Sequence, residues 1–292
     1  MSVVNKLVKA EVLKPPKFLE NSVQYETIMG SMAYGVSDDN SDMDIYGFCI
    51  PKKDMLFPHL KGEIFGFGRQ TKRFDQYQQH HLKYEKQEYD ITIYSIVKYF
   101  QLAMENNPNI IDSLFTPSNC VTHSTKIGNM VRENKELFLH KGSYYQFKGY
   151  AFSQMHKMKS KEKPKGKRLE SVEKYGYDVK YAYHLVRLLG EVEDILMNHT
   201  IDLQNNKEML KAIRRGEWTL NQVEDYFNTK EKDLETLYVK STLRNKPDED
   251  ALKDLLMNCL EEYFGNLDNV IVEPDRYKRT LERIQDEIQK VL

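Results

Sequence analysis

Two carboxylates, Asp42 and Asp44, stand one residue apart at the head of the apolar run Ile45 to Ile50. Residues i and i+2 of a strand point to the same face, so both side chains would project together where the strand begins. Two negative charges held this close repel each other unless a cation lies between them. Hard oxygen ligands near a phosphate favour Mg²⁺ or Mn²⁺. The pair therefore predicts a site for one of these ions.

A glycine and a serine, Gly30 and Ser31, end the short buried strand predicted from Tyr25 to Gly30. Glycine lets the backbone approach a phosphate closely, and a serine hydroxyl with the free amides of a starting helix binds phosphate oxygens. We therefore expect a tight turn and the start of a helix at Ser31. Taken alone, a Gly-Ser turn or an Asp-x-Asp pair is more often a solvated turn or cap. Their order along the chain favours a joint phosphate and metal site.

The best candidate for a third carboxylate is Asp90, which opens the clearest strand pattern in the chain. The segment "QEYDITIYSI" alternates, with Asp90, Thr92 and Tyr94 on one face of the predicted strand. If this strand neighbours the one that carries Asp42 and Asp44, Asp90 completes the acidic site. Glu88 lies two residues before Asp90 on the same face of the predicted strand and is the alternative third carboxylate.

A second set of polar side chains falls on the helix predicted from Asp178 to Asn198. Lys180, His184 and Arg187 are spaced i, i+4 and i+7, which places them on one stripe. Nitrogen-bearing side chains in a row suit a triphosphate or an RNA phosphate. The alternative is a solvent-facing charged stripe with His184 packed beside it. Tyr177, just before the helix, either stacks on a base or packs against the helix entrance.

A lysine-rich run from Lys157 to Arg168 carries a single opposing charge, Glu162. Such runs are usually solvated, but this one lies between two predicted helices and suits a loop that binds RNA phosphates. The aromatic and basic segment Arg69 to Lys86 fits either single-strand binding or a plain strand beside the site. Its histidines, His80 and His81, are therefore assigned no role.

Two regions resemble a known family. The pair "GS" followed by "SDMD" and an apolar residue resembles the signature of the DNA polymerase β-like nucleotidyltransferase superfamily, with Asp90 where its third carboxylate is expected. The stretch "KRLESVEKYGYDVKYAYHLVRLLGEVEDIL" resembles the second conserved region of predicted nucleotidyltransferases of bacteria and T4-like phages, labelled an RNA-repair-pathway polymerase-β family. The first motif is shared by many activities, and the second is more specific.

The resemblance implies an α+β fold, in which a mixed sheet with flanking helices is followed by a mainly helical C-terminal domain. It implies that Gly30 and Ser31 contact the triphosphate, that Asp42 and Asp44 bind two Mg²⁺ or Mn²⁺ ions, and that Asp90 binds the catalytic one. One ion would activate the attacking hydroxyl and the other would steady the triphosphate. Asp90, nearest to that hydroxyl, is also the candidate general base.

The implied reaction is transfer of a nucleoside monophosphate from a nucleoside triphosphate to an acceptor, with release of pyrophosphate. We expect the acceptor to be an RNA end, such as that of a tRNA, because of the lysine-rich run and the family label. The alternatives are nucleotidylation of a protein or small molecule, or an inert nucleotide-sensing module. Which triphosphate is used and the oligomeric state are not indicated.

The elements that must position these residues divide the chain into a mixed catalytic half, residues 1–140, and a helical half, residues 141–292, that closes the cleft. We expect the first 20 residues to form an arm. A helix capped by Ser95 should run to Asn106 and end before Pro108, and strand signals fade beyond Phe115. Further helices are predicted over Ser124–Leu139, Ser143–Lys159, Asn205–Gly216, Thr219–Ser241 and Asp248–Gly265.

The composition limits the cellular compartments and binding partners that we expect. The 43 basic and 44 acidic residues leave no overall field, so nucleic acid must be bound by a local patch. The cysteines, Cys49, Cys120 and Cys259, have no paired spacing, which argues against disulfides and zinc. No segment approaches the apolar length of a membrane helix. We expect a cytoplasmic protein without membrane contact, in the host cytoplasm if it is phage-encoded.

Overall fold

The computed structural model describes residues 2–37, 42–57, 73–159 and 167–265, together with residues 284, 285 and 288. The strands are β1 (Val23–Ile28), β2 (Met43–Cys49), β3 (Gln76–Tyr84), β4 (Gln87–Ser95) and β5 (Val121–Ser124). The helices are α1 (Val3–Lys9), α2 (Lys53–Leu56), α3 (Ile96–Met104), α4 (Pro108–Phe115), α5 (Lys126–Glu133), α6 (Ser143–Lys159), α7 (Lys167–Tyr175), α8 (Val179–Asn198), α9 (Lys207–Arg214), α10 (Leu220–Lys240) and α11 (Glu249–Phe264).

The five strands form one mixed sheet in the order β3-β4-β2-β1-β5. Strands β2 and β4 are parallel, and the other neighbouring pairs are antiparallel. Parallel strands begin at the same edge of a sheet, so the predicted acidic residues at the start of β2 and β4 meet there. The predicted α+β class, with flanking helices and a mainly helical C-terminal part, is confirmed.

The hydrophobic core is continuous from the sheet into the helices. Ile45, Ile91 and Ile93 of the central strands are fully buried, as are Phe147 of α6 and Leu189 of α8. Alternate residues of β2 and β4 face this core, which leaves the intervening residues on the opposite face for a site. The division into residues 1–140 and 141–292 stays a prediction.

The first residues form a packed helix rather than the expected arm. The carboxylate of Glu26, buried in β1, accepts hydrogen bonds from the Ser2 hydroxyl (2.5 Å) and from the amides of Val3 (2.6 Å) and Val4 (3.2 Å). A carboxylate at a helix N-terminus satisfies amides that have no partner within the helix. Burial nevertheless raises the pKa of Glu26. This cap comes from a distant strand, and the local sequence of α1 could not reveal it.

Most helix predictions are confirmed, and their caps explain why. Asp178 caps α8 by accepting from the Lys180 amide (2.9 Å), and Thr219 forms a reciprocal capping box with Gln222 at the start of α10. Helix α6 covers the predicted range from Ser143 to Lys159. Capping side chains satisfy the free amides of a first turn, and so they mark helix starts in sequence.

Two local predictions are wrong and one is incomplete. The helix expected at Ser31 is only a series of turns ending near Val36, in which the Val36 amide donates to the Ser31 carbonyl (2.8 Å). Pro108 does not simply stop α3 but begins α4 at a position where its missing N–H costs nothing. The short strand β5 follows Phe115, where no strand was expected. Its pairing with β1 comes from tertiary structure rather than from local pattern.

None of the helices within the described ranges combines the length and apolar character needed to cross a bilayer.

Candidate active site

Asp44 of β2 and Asp90 of β4 are direct register partners across the parallel strand pair. Asp42 lies exposed just before β2. The pKa of Asp44 is raised by burial and then by the negative charge of Asp90, while Lys180 and His80 act in the opposite direction. Asp44 therefore shares one electrostatic environment with Asp90, Asp42, Lys180 and His80. The structure brings together the predicted acids and one of the predicted cations.

Gly30 ties the turn after β1 to the acidic site. Its φ of +69° lies in the left-handed region, and a Cβ at this position would be 2.6 Å from Asp44 Oδ2. Only glycine accepts both the conformation and the close approach. The Met29 amide also donates to the Asp44 carbonyl (2.7 Å). The backbone that leads into the turn and the carboxylate are thus built as one unit, with half-buried Ser31 next along the chain.

Residues outside the sheet also fix the backbone of this turn by hydrogen bonds. Gln204 Nε2 donates to the Ala33 carbonyl (3.2 Å), and Arg214 Nη1 donates to the Val36 carbonyl (2.5 Å). The hydroxyl of Tyr34 donates to Asp112 Oδ2 of α4 (2.8 Å). Because contacts from separate elements fix its backbone, the turn is preorganised rather than dependent on a ligand for its shape.

Arg187 lies in a buried ion-pair cluster rather than on an open phosphate-binding surface. Its Nη1 contacts Asp112 Oδ2 and both carboxylate oxygens of Glu191 (2.7 and 2.9 Å), and its guanidinium lies 4.2 Å from the Tyr34 ring centroid. Burial opposes its charge, but Glu191, Tyr34 and Asp112 together raise the pKa of Arg187. Since protein carboxylates already neutralise this cation, we exclude Arg187 from the candidate nucleotide ligands.

Lys180 and His184 lie on the stripe of α8 that the spacing predicts, and Lys180 is the one whose charge acts on Asp44. Lys180 is exposed and His184 is half-buried. Burial, followed by the positive charges of Arg187, Lys180 and Arg168, lowers the pKa of His184 well below its usual value. His184 is therefore a neutral imidazole at pH 7, able to donate or accept a hydrogen bond.

Tyr177 takes the packing role, the second of its two predicted alternatives. Its side chain is 2 % exposed, and its hydroxyl donates to the Trp218 carbonyl (2.6 Å). A ring enclosed in this way presents no face on which a base could stack. We therefore exclude Tyr177 from the nucleotide ligands as well.

The lysine-rich run lies partly outside the described residues, which omit 160–166. Of its two described ends, Lys157 is exposed on α6, and Lys159 Nζ pairs with Glu224 Oε1 of α10 (2.9 Å). At the other end, the Arg168 guanidinium lies 4.6 Å from the Tyr181 ring centroid and donates to its hydroxyl. The run stays a predicted phosphate-binding segment.

His80 and His81, to which the sequence assigned no role, form a β-bulge opposite Asp90. Gln79 pairs with Ile91 and Leu82 with Tyr89, so two residues of β3 face one residue of β4. The φ of His81 is +57°, and its amide donates to Asp90 Oδ1 (2.7 Å). His80 Nδ1 lies 3.4 Å from Asp90 Oδ2. The bulge therefore fixes the orientation of the third carboxylate.

The sequence of β3 contains a signal for this bulge, because its inward-facing positions change from odd to even residue numbers along the strand. Tyr77 and Gln79 are half-buried at odd positions, whereas Leu82 and Tyr84 face inward at even ones. Because side chains alternate strictly along a regular strand, such a change of parity requires one extra residue. The two histidines lie at that change.

The donor set and its charge fit a divalent cation. Carboxylate oxygens are the ligands that Mg²⁺ and Mn²⁺ prefer, and the repulsion between Asp44 and Asp90 that raises the pKa of Asp44 would be relieved by a cation between them. Within the part of the chain that the structure describes, no three His, Cys, Asp or Glu side chains already converge as a ready metal site. Asp90 is instead oriented toward the amide of His81.

Comparison with known proteins gives one family match. A family model described as the RNA repair pathway DNA polymerase beta family matches residues 5–266. No curated protein matches the chain significantly. A solved structure of a nucleotidyltransferase-like protein from Exiguobacterium sibiricum is similar over 81% of this chain and 74% of that chain, with 8% identity and a TM-score of 0.30. Both values are too low for any inference from that protein.

Proposed function

The chain belongs to the RNA repair pathway DNA polymerase beta family, and from this premise we propose that it transfers a nucleoside monophosphate from a nucleoside triphosphate to an RNA end. A tRNA end is the acceptor that we favour. The site consists of Asp42, Asp44 and Asp90, with Gly30 and Ser31 at the triphosphate. Pyrophosphate is the second product.

One observation supports the proposal most strongly: the register pairing of Asp44 with Asp90 beside a left-handed glycine. A solvated Asp-x-Asp turn needs no partner acid on the next strand and no backbone that approaches its carboxylate. Both features together favour chemistry on a phosphate chain, because they place paired carboxylates against the backbone of a tight glycine turn.

The chain's own residues divide the reaction between them. The start of the turn at Gly30 and Ser31 offers a closely approaching backbone and the Ser31 hydroxyl to the triphosphate, and Lys180 adds positive charge. The acceptor hydroxyl attacks the α-phosphorus as the bond to the β-phosphate oxygen breaks, and Asp90 accepts the hydroxyl proton. Asp42, Asp44 and Asp90 would hold two Mg²⁺ or Mn²⁺ ions, which supply charge neutralisation and activation of the hydroxyl when bound.

The experiment that tests this function supplies the protein with Mg²⁺, total cellular RNA and each of the four triphosphates in turn, labelled in the α-phosphate. We expect label to enter RNA with one or more triphosphates, and Asp44→Asn to abolish the transfer because it keeps the shape of the side chain and removes its charge. Label that enters protein or a small molecule instead would refute the RNA acceptor. Full activity of Asp44→Asn would refute the proposed site.

A further inference from the structure

Tyrosines that pack in the interior of this protein have paired hydroxyls. Tyr25 donates to the Ser113 carbonyl (2.7 Å), Tyr99 shares a hydrogen bond with the Ser113 hydroxyl (2.6 Å), and Tyr177 donates to Trp218. By contrast, among the described residues the hydroxyls of Tyr46 and Tyr94 have no hydrogen-bond partner. Both side chains are only half-buried. Two polar groups at the rim of the site are therefore available to a ligand.

Tyr46 and Tyr94 lie on the same sheet face as the acids. Tyr46 follows Asp44 by two residues and Tyr94 follows Asp90 by four, so parity places all four on one side. At the rise of a strand, these tyrosines are about 7 and 13 Å from the acids along their own strands. Their ring centroids are 6.3 Å apart at 47°. The rings form a continuous aromatic surface that starts next to the carboxylates.

Tyr150 of α6 lies in the neighbourhood of these two rings. Its side chain is 38% exposed, and its phenol is close enough to contribute to the raised pKa of Tyr46 and of Tyr94, after the larger effect of burial. A phenol is protonated at neutral pH, so these hydroxyls are hydrogen-bond donors. We call Tyr46, Tyr94 and Tyr150 the tyrosine ledge.

The tyrosine ledge and the turn at Gly30 lie in opposite directions from the acids along the strands. The turn follows the end of β1 and approaches Asp44 near the start of β2, whereas Tyr46 and Tyr94 lie further along β2 and β4. The triphosphate and the ledge therefore lie on different sides of the carboxylates. Lys157 follows Tyr150 by seven residues on α6, so an exposed cation lies along the same helix face.

We propose that the tyrosine ledge binds the terminal nucleobase of a single-stranded RNA acceptor, with Lys157 near the backbone that follows. Bases of any sequence stack on aromatic rings, and the phenols of Tyr46 and Tyr94 offer donors to base edges. A terminal base on Tyr46 leaves its ribose hydroxyl in reach of Asp90. The inference rests on the proposed nucleotidyl transfer and adds the class of group recognised beside that site.

The test measures binding alone, by fluorescence anisotropy of a 5′-labelled oligoadenylate without triphosphate. Tyr150→Ala should weaken binding about 5- to 150-fold, the range expected for loss of one stacking ring. Tyr150→Phe should retain most of the affinity because it keeps the ring. Tyr145→Ala is the matched control, since Tyr145 is 62% exposed on the same helix but packs against Tyr238 of α10.

Equal affinity of Tyr150→Ala and wild type would overturn the ledge, as would absence of oligoadenylate binding by the wild type. An equal loss in Tyr145→Ala would do the same, because it would indicate general rather than local binding. Circular dichroism melts check that each variant folds. If binding depends on Tyr150 but no labelled nucleotide is transferred in the separate assay, the proposed function fails while nucleobase binding at the ledge stands.

Discussion

Replacing Gly30 by alanine should damage the site far more than it damages the fold. The substitution places a Cβ 2.6 Å from Asp44 Oδ2, whereas ordinary van der Waals contact begins at 3.4 Å. The carboxylate must therefore move by about 0.8 Å, as the difference between those two distances requires. It is the far end of a flexible side chain, so it can rotate away at little cost to the surrounding core.

Two magnitudes follow from this geometry. An L-residue held at a φ of +69° costs about 1–2 kcal/mol relative to glycine, so the free energy of unfolding should fall by that amount. A displacement of about 1 Å at a reacting centre costs roughly 100-fold in rate. Gly30→Ala should therefore lower nucleotide transfer by about two orders of magnitude while the protein remains folded at room temperature.

The chain offers a matched control in Gly176, which follows α7 with a φ of +81°. Among the described residues, no heavy atom lies within 4 Å of the place that a Cβ on Gly176 would occupy. Gly176→Ala therefore carries the same backbone strain without the contact to Asp44. Urea titration should give both variants similar losses of stability, and transfer of label from the triphosphate should separate them, with Gly176→Ala near wild type.

The reasoning would be refuted if Gly30→Ala and Gly176→Ala kept equal transfer activity. It would also be refuted if Gly30→Ala lost activity only in proportion to the fraction of unfolded protein. In either case the close approach of Gly30 to Asp44 would have no functional role.

Three further predictions concern the buried ion-pair cluster, the bulge in β3 and a partly buried histidine. Asp112→Ala should lower the free energy of unfolding by about 3–5 kcal/mol, measured by urea titration, because it leaves the buried Arg187 charge with one carboxylate fewer. His81→Pro should reduce kcat, since it removes the amide that orients Asp90 and cannot adopt the φ of +57°, whereas His81→Gly should retain most activity. Burial lowers the pKa of His140 in the folded protein, so on acidification the unfolded chain takes up a proton on this residue at a higher pH than the folded protein does. The free energy of unfolding should therefore fall as the pH drops below about 6.5. His140→Gln should lessen that fall, measured by urea titrations at pH 7 and pH 5.

Each of these has a contrary outcome. Stability of Asp112→Ala within about 0.5 kcal/mol of wild type, the range of an ordinary surface substitution, would mean that the buried Arg187 charge does not need Asp112 as a partner. Equal kcat for the proline and glycine variants would remove the bulge from the mechanism. An unchanged pH dependence in His140→Gln would show that burial of this imidazole does not make the stability depend on pH.

The juxtaposition of Asp44 and Asp90 was predictable because strand parity is strict. The alternation around Asp90 and the Asp-x-Asp spacing of Asp42 and Asp44 sufficed to place them on one face, and the structure pairs Asp44 with Asp90. Capping side chains such as Asp178 marked helix starts for a similar reason, since they satisfy amides that are local in sequence.

The burial of Arg187 was not predictable, because a helical stripe gives direction but not the groups opposite it. Its partner Asp112 lies on α4, a helix that was not predicted because Pro108 was interpreted only as the end of the preceding helix. Likewise, the α1 cap by Glu26 depends on a strand more than 20 residues away. Long-range partners of this kind are set by tertiary packing, which periodicity and capping signals do not encode.

The measurement closest to the central claim follows the two ends of the triphosphate separately. With label in the α-phosphate, the wild-type protein should transfer radioactivity to RNA; with label in the γ-phosphate, the radioactivity should appear only in pyrophosphate. The double variant Asp42→Asn, Asp44→Asn should do neither while keeping its circular dichroism spectrum. Transfer of the γ-label to the acceptor, or full activity of the double variant, would contradict nucleotidyl transfer at these carboxylates.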